Sequence, residues 1–290
     1  MDDLADITSE VQRLMANATF VRSATRRGVE RALSQTMHGP TEHAIGVPLR
    51  DLVDSRQLKT RRVPAPELLS TLDSQFWTVL DEALPPQLVE AASREAQHLH
   101  GLGLLGRQPG LSRLRLDHSS TLPVAEAAWP SLSALLRRLH GAARRLSRWG
   151  ALGSRKGGLL PDPAGGMLAC YNRGDRYSMH VDRADACTGE ACSSSGGGGG
   201  GGRRATAIVY LRHGSAWSPA EAGELRLWPS SAQSPSQSAL LVAGSAVDVE
   251  PLAGRLVLFD SRLAHEVRPW RAEGGRVRCA LTLWVHDAGT

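Results

Sequence analysis

Hydrophobic positions along this chain change their period once, near residue 165. Before that point they recur at helical spacing. In the stretch 86–99, Leu88, Ala91, Ala92 and Ala96 share one face, and Pro85-Pro86 supplies a start. Between 131 and 149 the apolar residues Leu132, Leu135, Leu136, Leu139, Ala143 and Leu146 predict a second, longer helix. A short strand at 76–80 precedes the first helix. After Gly165-Gly166 the pattern turns to alternation in short runs, at 167–172, 177–181, 205–212, 224–228, 246–249, 255–259, 266–269 and 277–285. Gly and Pro punctuate these runs. Many short strands of this kind predict a sandwich or barrel, so the expected class is mainly β with supporting helices, an α+β chain.

Three stretches resist this reading. Residues 1–70 carry helical fragments broken by His38-Gly39-Pro40 and Gly46-Val47-Pro48 and closed by Pro64-Ala65-Pro66. They predict a loosely structured extension or a set of docking helices. Ser193-Ser194-Ser195 with the glycines Gly196 to Gly202, and the stretch 230–238, are too low in complexity to pack and read as mobile loops. The expected organisation is an extension over 1–70, a helical support region over 71–165 and a strand domain over 166–288, with a mobile insert at 183–203.

Composition narrows the partners. With 34 basic and 29 acidic residues the net charge is +5, a mild bias, and Lys59 and Lys156 are the only lysines. The arginines of the long helix (Arg137, Arg138, Arg144, Arg145, Arg148) read as a solvated face, so nucleic acid is not an expected partner. No run of eighteen apolar residues occurs, which excludes a membrane-spanning helix. The start, Met1-Asp2-Asp3-Leu4-Ala5-Asp6, is acidic and lacks the apolar core of a leader, so a cytoplasmic or nuclear location is expected. Four cysteines are too few for a disulfide framework and form no paired zinc knuckles, so a reducing compartment is the default.

The chemistry lies among the strands. His180 and Asp182 are separated by one residue in extended chain, so both side chains point to one face and can converge on one ion. His265 follows the strong strand Leu256-Val257-Leu258-Phe259. Two histidines and one carboxylate form the facial triad of non-heme Fe(II) oxygenases, which leaves coordination positions open. Asp185 competes with Asp182 but falls in the loop. Arg278 stands on a strand whose alternation puts Arg278, Ala280, Thr282 and Trp284 on one face. A guanidinium inside a barrel needs an anion, and its fork suits a carboxylate. Arg276 shares that parity and is the alternative. His98, His100, His118 and His140 fit no ligand spacing with the triad.

These motifs resemble the Fe(II)/2-oxoglutarate dioxygenases of the prolyl 4-hydroxylase superfamily, and within it the prolyl hydroxylases that act on hypoxia-inducible factor. The resemblance rests on Met167 to Tyr171, Tyr177-Ser178-Met179-His180-Val181-Asp182, Ile208 to Leu211, Gly223 to Pro229, His265-Glu266-Val267-Arg268-Pro269 and Arg278 to Trp284. It spans about residues 72–287. It implies a double-stranded β-helix, or jelly roll, with iron held by His180, Asp182 and His265. It implies that Arg278 and Tyr210 hold the distal carboxylate of 2-oxoglutarate. Tyr171 would line the pocket, with Thr282 and Trp284 in family register and Trp284 as a bulky wall. The implied activity is hydroxylation of a proline-containing protein or peptide by a monomeric, oxygen-sensing enzyme. O₂ and 2-oxoglutarate are consumed, with ascorbate as a candidate reductant. The alternatives are a 2-oxoglutarate hydroxylase of another residue or a small molecule, and a non-catalytic jelly-roll binding module. The sequence departs from the family in the insert after Asp182 and in a long His265-to-Arg278 interval. Residues 103–117 are too divergent to name a substrate.

Overall fold

A computed structural model describes residues 65–107, 114–122, 129–149, 152, 158–162, 165–182, 202–211, 217–229 and 246–287 of the chain. The expected N-terminal extension as far as residue 64, the insert as far as residue 201 and the Ser-rich stretch 230–238 lie outside the described residues. Helix α1 (Ala65–Gln75) leads into β1 (Trp77–Leu80), α2 (Pro86–Gly101), β2 (His118–Leu122) and α3 (Pro130–Trp149). Nine strands follow: β3 (Leu159–Pro161), β4 (Gly166–Tyr171), β5 (Tyr177–His180), β6 (Arg203–Leu211), β7 (Leu225–Trp228), β8 (Val247–Val249), β9 (Leu256–Asp260), β10 (Ala264–Val267) and β11 (Arg278–Asp287).

The strands form two antiparallel sheets. The larger runs β1-β9-β6-β11-β4-β2, with β3 also on β11, and the smaller runs β5-β10-β7-β8. Consecutive elements repeatedly cross between sheets, the jelly-roll connectivity that the strand pattern predicted. Alternation along the large sheet separates two cores. Leu168 and Cys170 on β4, Val209 and Leu211 on β6, Leu256 and Leu258 on β9, and Cys279, Leu281, Leu283 and Val285 on β11 pack on one side. There they meet the apolar stripes of α2 (Leu88, Val89, Ala92, Ala96, Leu99) and α3 (Leu132, Leu135, Leu136, Leu139, Ala143, Leu146). The intervening residues, Ala169, Tyr171, Ile208, Tyr210, Val257, Phe259 and Ala280, face the smaller sheet with Leu225, Leu227 and Val267. The functional residues sit in this second core.

Helix α3 begins where its predicted stripe begins, and its first turn is held by its neighbour. Glu95 of α2 accepts from the backbone N–H of Ser131 at 2.9 Å and of Leu132 at 2.8 Å. A carboxylate thus satisfies donors that a helix start leaves unpaired and sits at the positive end of the helix dipole.

Three elements depart from the sequence reading. Ala65-Pro66 opens α1, where the sequence predicts the close of a segment, and α1 crosses the division expected at residue 70. Proline fits the first turn of a helix, where its missing N–H is not needed. Strands β2 and β3 carry no alternating hydrophobic pattern to betray them. They form because β4 and β11 offer partners: Ser119 pairs with Ala169, and Leu160 with His286. One disulfide, absent from the sequence reading, joins Cys170 to Cys279, which face each other across β4 and β11 with Cα atoms 4.1 Å apart. No helix among the described residues is long and apolar enough to cross a membrane.

Gly166 opens β4 where α3 lies closest to the sheet. A Cβ there would press on the Leu136 side chain and come within 2.9 Å of the Thr282 carbonyl oxygen. Overpacking of this kind costs about 1–3 kcal/mol. Gly166→Ala should therefore lower the urea midpoint by a corresponding amount. An unchanged midpoint would show that the α3–sheet spacing yields freely.

Candidate active site

Strand pairing brings the predicted triad together. His180 ends β5 and His265 stands directly opposite it on β10, with their ring centroids 4.2 Å apart. Asp182 follows two residues later, its backbone N–H donating to the Ser261 carbonyl at 3.1 Å. One ligand atom from each of the three lies within 4.8 Å of the others. The Nε2 atoms of His180 and His265 stand 3.8 and 3.7 Å from the two Asp182 oxygens, too far for hydrogen bonds.

Backbone carbonyls settle which nitrogen carries the proton. His180 Nδ1 lies 2.9 Å from the Ser178 oxygen, and His265 Nδ1 lies 2.9 Å from the Leu263 oxygen. A carbonyl only accepts, so each Nδ1 must donate and each neutral ring keeps a lone pair on Nε2. Burial, then the neighbouring His265, pushes His180 well below the usual imidazole range. Burial alone would raise the Asp182 carboxyl. The two imidazoles and the Thr206 hydroxyl outweigh it, and the net direction is down. With both imidazoles in the neutral form, the cluster presents acceptors only: two imidazole lone pairs and a carboxylate. Such a set is stabilised by a cation, and its composition is that of a facial-triad Fe(II) site.

Neighbours hold the ligands in place. Thr206 Oγ1 on β6 donates to Asp182 Oδ2 at 2.7 Å and lies 3.0 Å from Ser261 Oγ. Tyr177 stacks on His180 with centroids 3.6 Å apart, and Phe259 meets His265 edge-on at 4.8 Å.

The second part of the pocket lies further along β11. Register places Arg278 opposite Tyr171 on β4, and Ala280 opposite Tyr210 on β6. The Arg278 guanidinium carbon lies 4.8 Å from the Tyr171 ring and 5.1 Å from the Tyr210 ring. Arg278 is 4% exposed, yet its Nε and the Tyr210 hydroxyl are buried without a hydrogen-bond partner. Buried donors of this kind are normally satisfied, and a carboxylate would satisfy both with charge-assisted bonds. Burial, partly offset by Arg278, pushes Tyr210 up to about 12, so its hydroxyl keeps its proton to donate. Arg276, the alternative by parity, instead forms an ion pair with Glu221 outside this pocket. Thr282 and Trp284 continue the Arg278 face. Trp284 pairs with Thr206, which puts it beside the triad, and Arg203 stacks on its ring at 4.0 Å.

Sequence reasoning missed a charged pair in this pocket. Arg115 and Asp117 are 8% and 0% exposed and joined by two hydrogen bonds of 2.7 and 2.6 Å. Burial alone would lower the Arg115 pKa, but Asp117 reverses this and raises it. Arg115 also lies over the Tyr177 ring at 4.8 Å and donates to Met167 Sδ at 3.0 Å. Arg115 and Asp117 alternate with Leu114 and Leu116, a strand-like pattern with its charges turned inward. The histidines set aside from the triad stay apart from it. His100 lies 3.0 Å from Asn172 Oδ1, and His118 meets Arg107. Asp185 lies outside the described residues.

Comparison with known proteins agrees with this geometry. Residues 166–286 match the model of the 2OG-Fe(II) oxygenase superfamily. A prolyl-4-hydroxylase from Pseudomonas putida is 26% identical, with a TM-score of 0.55 over 77% of this chain and 98% of that one. A Trichoplax adhaerens prolyl hydroxylase, solved with a peptide fragment of the hypoxia-inducible factor oxygen degradation domain, is 22% identical. Its TM-score is 0.58 over 76% of this chain and 87% of that one. A non-heme α-ketoglutarate-dependent epimerase of nogalamycin biosynthesis has the same fold at 17% identity and a TM-score of 0.54, over 77% of this chain and 82% of that one.

Thr206 supplies a test of the triad that leaves every ligand in place. Groups that orient a metal ligand typically contribute about 10–100-fold to metal affinity. Thr206→Val should weaken Mn(II) binding by that factor in an electron paramagnetic resonance titration, with little change in melting temperature. Wild-type affinity would remove Thr206 from the site.

Proposed function

We propose that this 2OG-Fe(II) oxygenase hydroxylates a protein substrate at proline. The observation that carries the reading is the cluster of His180, Asp182 and His265, with ligand atoms within 4.8 Å of one another, in the same core as the buried Arg278. His180, Asp182 and His265 hold the iron, and Arg278 with Tyr210 receives the distal carboxylate of 2-oxoglutarate. When bound, the iron with its co-substrate and O₂ supplies oxidising power. One oxygen atom enters a C–H bond of the substrate, and 2-oxoglutarate leaves as succinate and CO₂.

The chain's own residues bind, orient and exclude water. The Ser178 and Leu263 carbonyls fix the histidine tautomers, and Thr206 fixes the carboxylate. Arg278 supplies a charge fixed between two aromatic rings, which binds a diacid in one direction. The closed core around Phe259, Leu225, Leu227 and Val267 keeps bulk water from the reacting groups. The likeness to prolyl hydroxylases supports proline as the target. The strands of 166–288 form most of the jelly roll, and the region 71–165 adds β1, β2 and β3 to its larger sheet and supports it with α2 and α3.

Two experiments test the assignment. Asp182→Ala removes the anionic ligand, and it should abolish succinate formation while the circular dichroism spectrum is kept. Wild-type turnover by the folded variant at saturating Fe(II) would overturn the triad. Arg278→Ala should cost roughly 2–5 kcal/mol of co-substrate binding, as loss of one partner of a buried charged pair does. That is a factor of about 30 or more in the 2-oxoglutarate requirement. Arg276→Ala should have a several-fold smaller effect, and reversed behaviour would move the co-substrate to Arg276. The substrate class itself is read from proline-containing peptides incubated under ¹⁸O₂. Label in proline, dependent on 2-oxoglutarate, is expected; label in another residue would reassign the target.

A further inference from the structure

We infer that Trp270, backed by Gly223, sets the position of the Arg278 guanidinium and thereby the length of diacid that the pocket accepts. This rests on the assignment of Arg278 to the distal carboxylate and deepens it. Trp270 lies in the long His265-to-Arg278 interval and is 2% exposed, among the largest fully buried side chains of the protein. The interval is stitched down along its length. Trp270 N–H donates to the Asp175 carbonyl at 3.0 Å, and Gly174 N–H donates to the Trp270 carbonyl at 2.7 Å. Arg271 N–H donates to the Glu221 carbonyl at 2.7 Å, and the Trp270 indole N–H to the Arg276 carbonyl at 2.8 Å.

Opposite the ring stands Gly223, with φ of +75°. A Cβ at that position would lie 2.6 Å from Trp270 Cε3 and 3.2 Å from Arg278 Cδ. Glycine backbone, indole and arginine stem therefore meet at one point with no room to spare. On its other side the Arg278 head meets the Tyr171 and Tyr210 rings at 4.8 and 5.1 Å. Its Nε makes no hydrogen bond, so close packing supplies what hydrogen bonding does not at that nitrogen. Trp270 is a positioning residue: it packs at Gly223 beside the Arg278 stem.

The consequence is selectivity for chain length. The triad fixes one end of the diacid and Arg278 the other, so the place of the guanidinium decides which chain spans the gap. One methylene is worth about 10–200-fold where the fit is tight. The measurement is calorimetric binding of 2-oxoglutarate, the shorter oxaloacetate and the longer 2-oxoadipate to full-length, Mn(II)-loaded protein without O₂. Trp270→Leu frees the arginine stem. It should weaken 2-oxoglutarate binding by about ten- to a hundredfold, as small misplacements do, and flatten discrimination among the three diacids. Gly223→Ala pushes on the same point and should also weaken 2-oxoglutarate. The double variant should bind better than Gly223→Ala alone, because the smaller side chain makes room for the new methyl. Mn(II) affinity should stay within about threefold throughout, which a general loss of structure would not allow.

Arg278→Ala separates the two readings. If it binds 2-oxoglutarate like the wild type, the pocket assignment itself is wrong. If it binds weakly while Trp270→Leu and Gly223→Ala keep wild-type affinities and ratios, the positioning role is wrong. Should either variant lose Mn(II) through misfolding, the diacid ratios of the other decide.

Discussion

Side chains of an extended strand have two faces to serve, and β11 uses both at the centre of the large sheet. Cys279, Leu281, Leu283 and Val285 complete the core under the helices, while Arg278, Ala280, Thr282 and Trp284 turn to the pocket. One residue of slippage would put a guanidinium among leucines and a leucine between Tyr171 and Tyr210. The apolar face prevents it: Leu281 and Leu283 are fully buried, and such side chains contribute about 1.5–3 kcal/mol each by leaving water. Packing on the helix side thus aims the chemistry on the other side.

The pocket itself is costly to build. It buries Arg115, Asp117, Thr206, His265 and Arg278 beside three tyrosines. Removing charges from water is offset only when partners are close and hydrogen bonds are complete. Arg115 and Asp117 meet that condition with two short bonds. Arg278 and the triad do not meet it among their neighbours, and their remaining capacity faces the places where a carboxylate and a cation would sit. Burial that raises Tyr171 and Tyr177 keeps both phenols protonated, so the walls add no further anion near His180, Asp182 and His265.

The loop before β11 links these two levels. It brings Trp270 and the Arg278 stem together at Gly223 and Arg276 onto Glu221. Small residues at such a crossing are dictated by space: a glycine with positive φ at position 223 is the one backbone that lets ring and arginine meet.

Local periodicity was enough to reveal α2, α3 and the strand-rich half, because their hydrophobic faces repeat at the period of their own structure. The His-x-Asp spacing was enough to place His180 and Asp182 on one side of a strand end, and strand parity grouped Arg278 with Thr282 and Trp284. The parity left Arg276 open, since two residues of equal phase differ only in what surrounds them. Tertiary structure decided that, burying Arg278 between tyrosines and sending Arg276 to Glu221. It also made strands of the polar β2 and the short β3, whose only reason to extend is a waiting neighbour. The Arg115–Asp117 pair, the Thr206 bond to Asp182 and the Cys170–Cys279 disulfide join residues that lie far apart in the chain or are legible only once the sheets have met. Sequence carries the period of each element; which faces meet is settled by the packing of all of them at once.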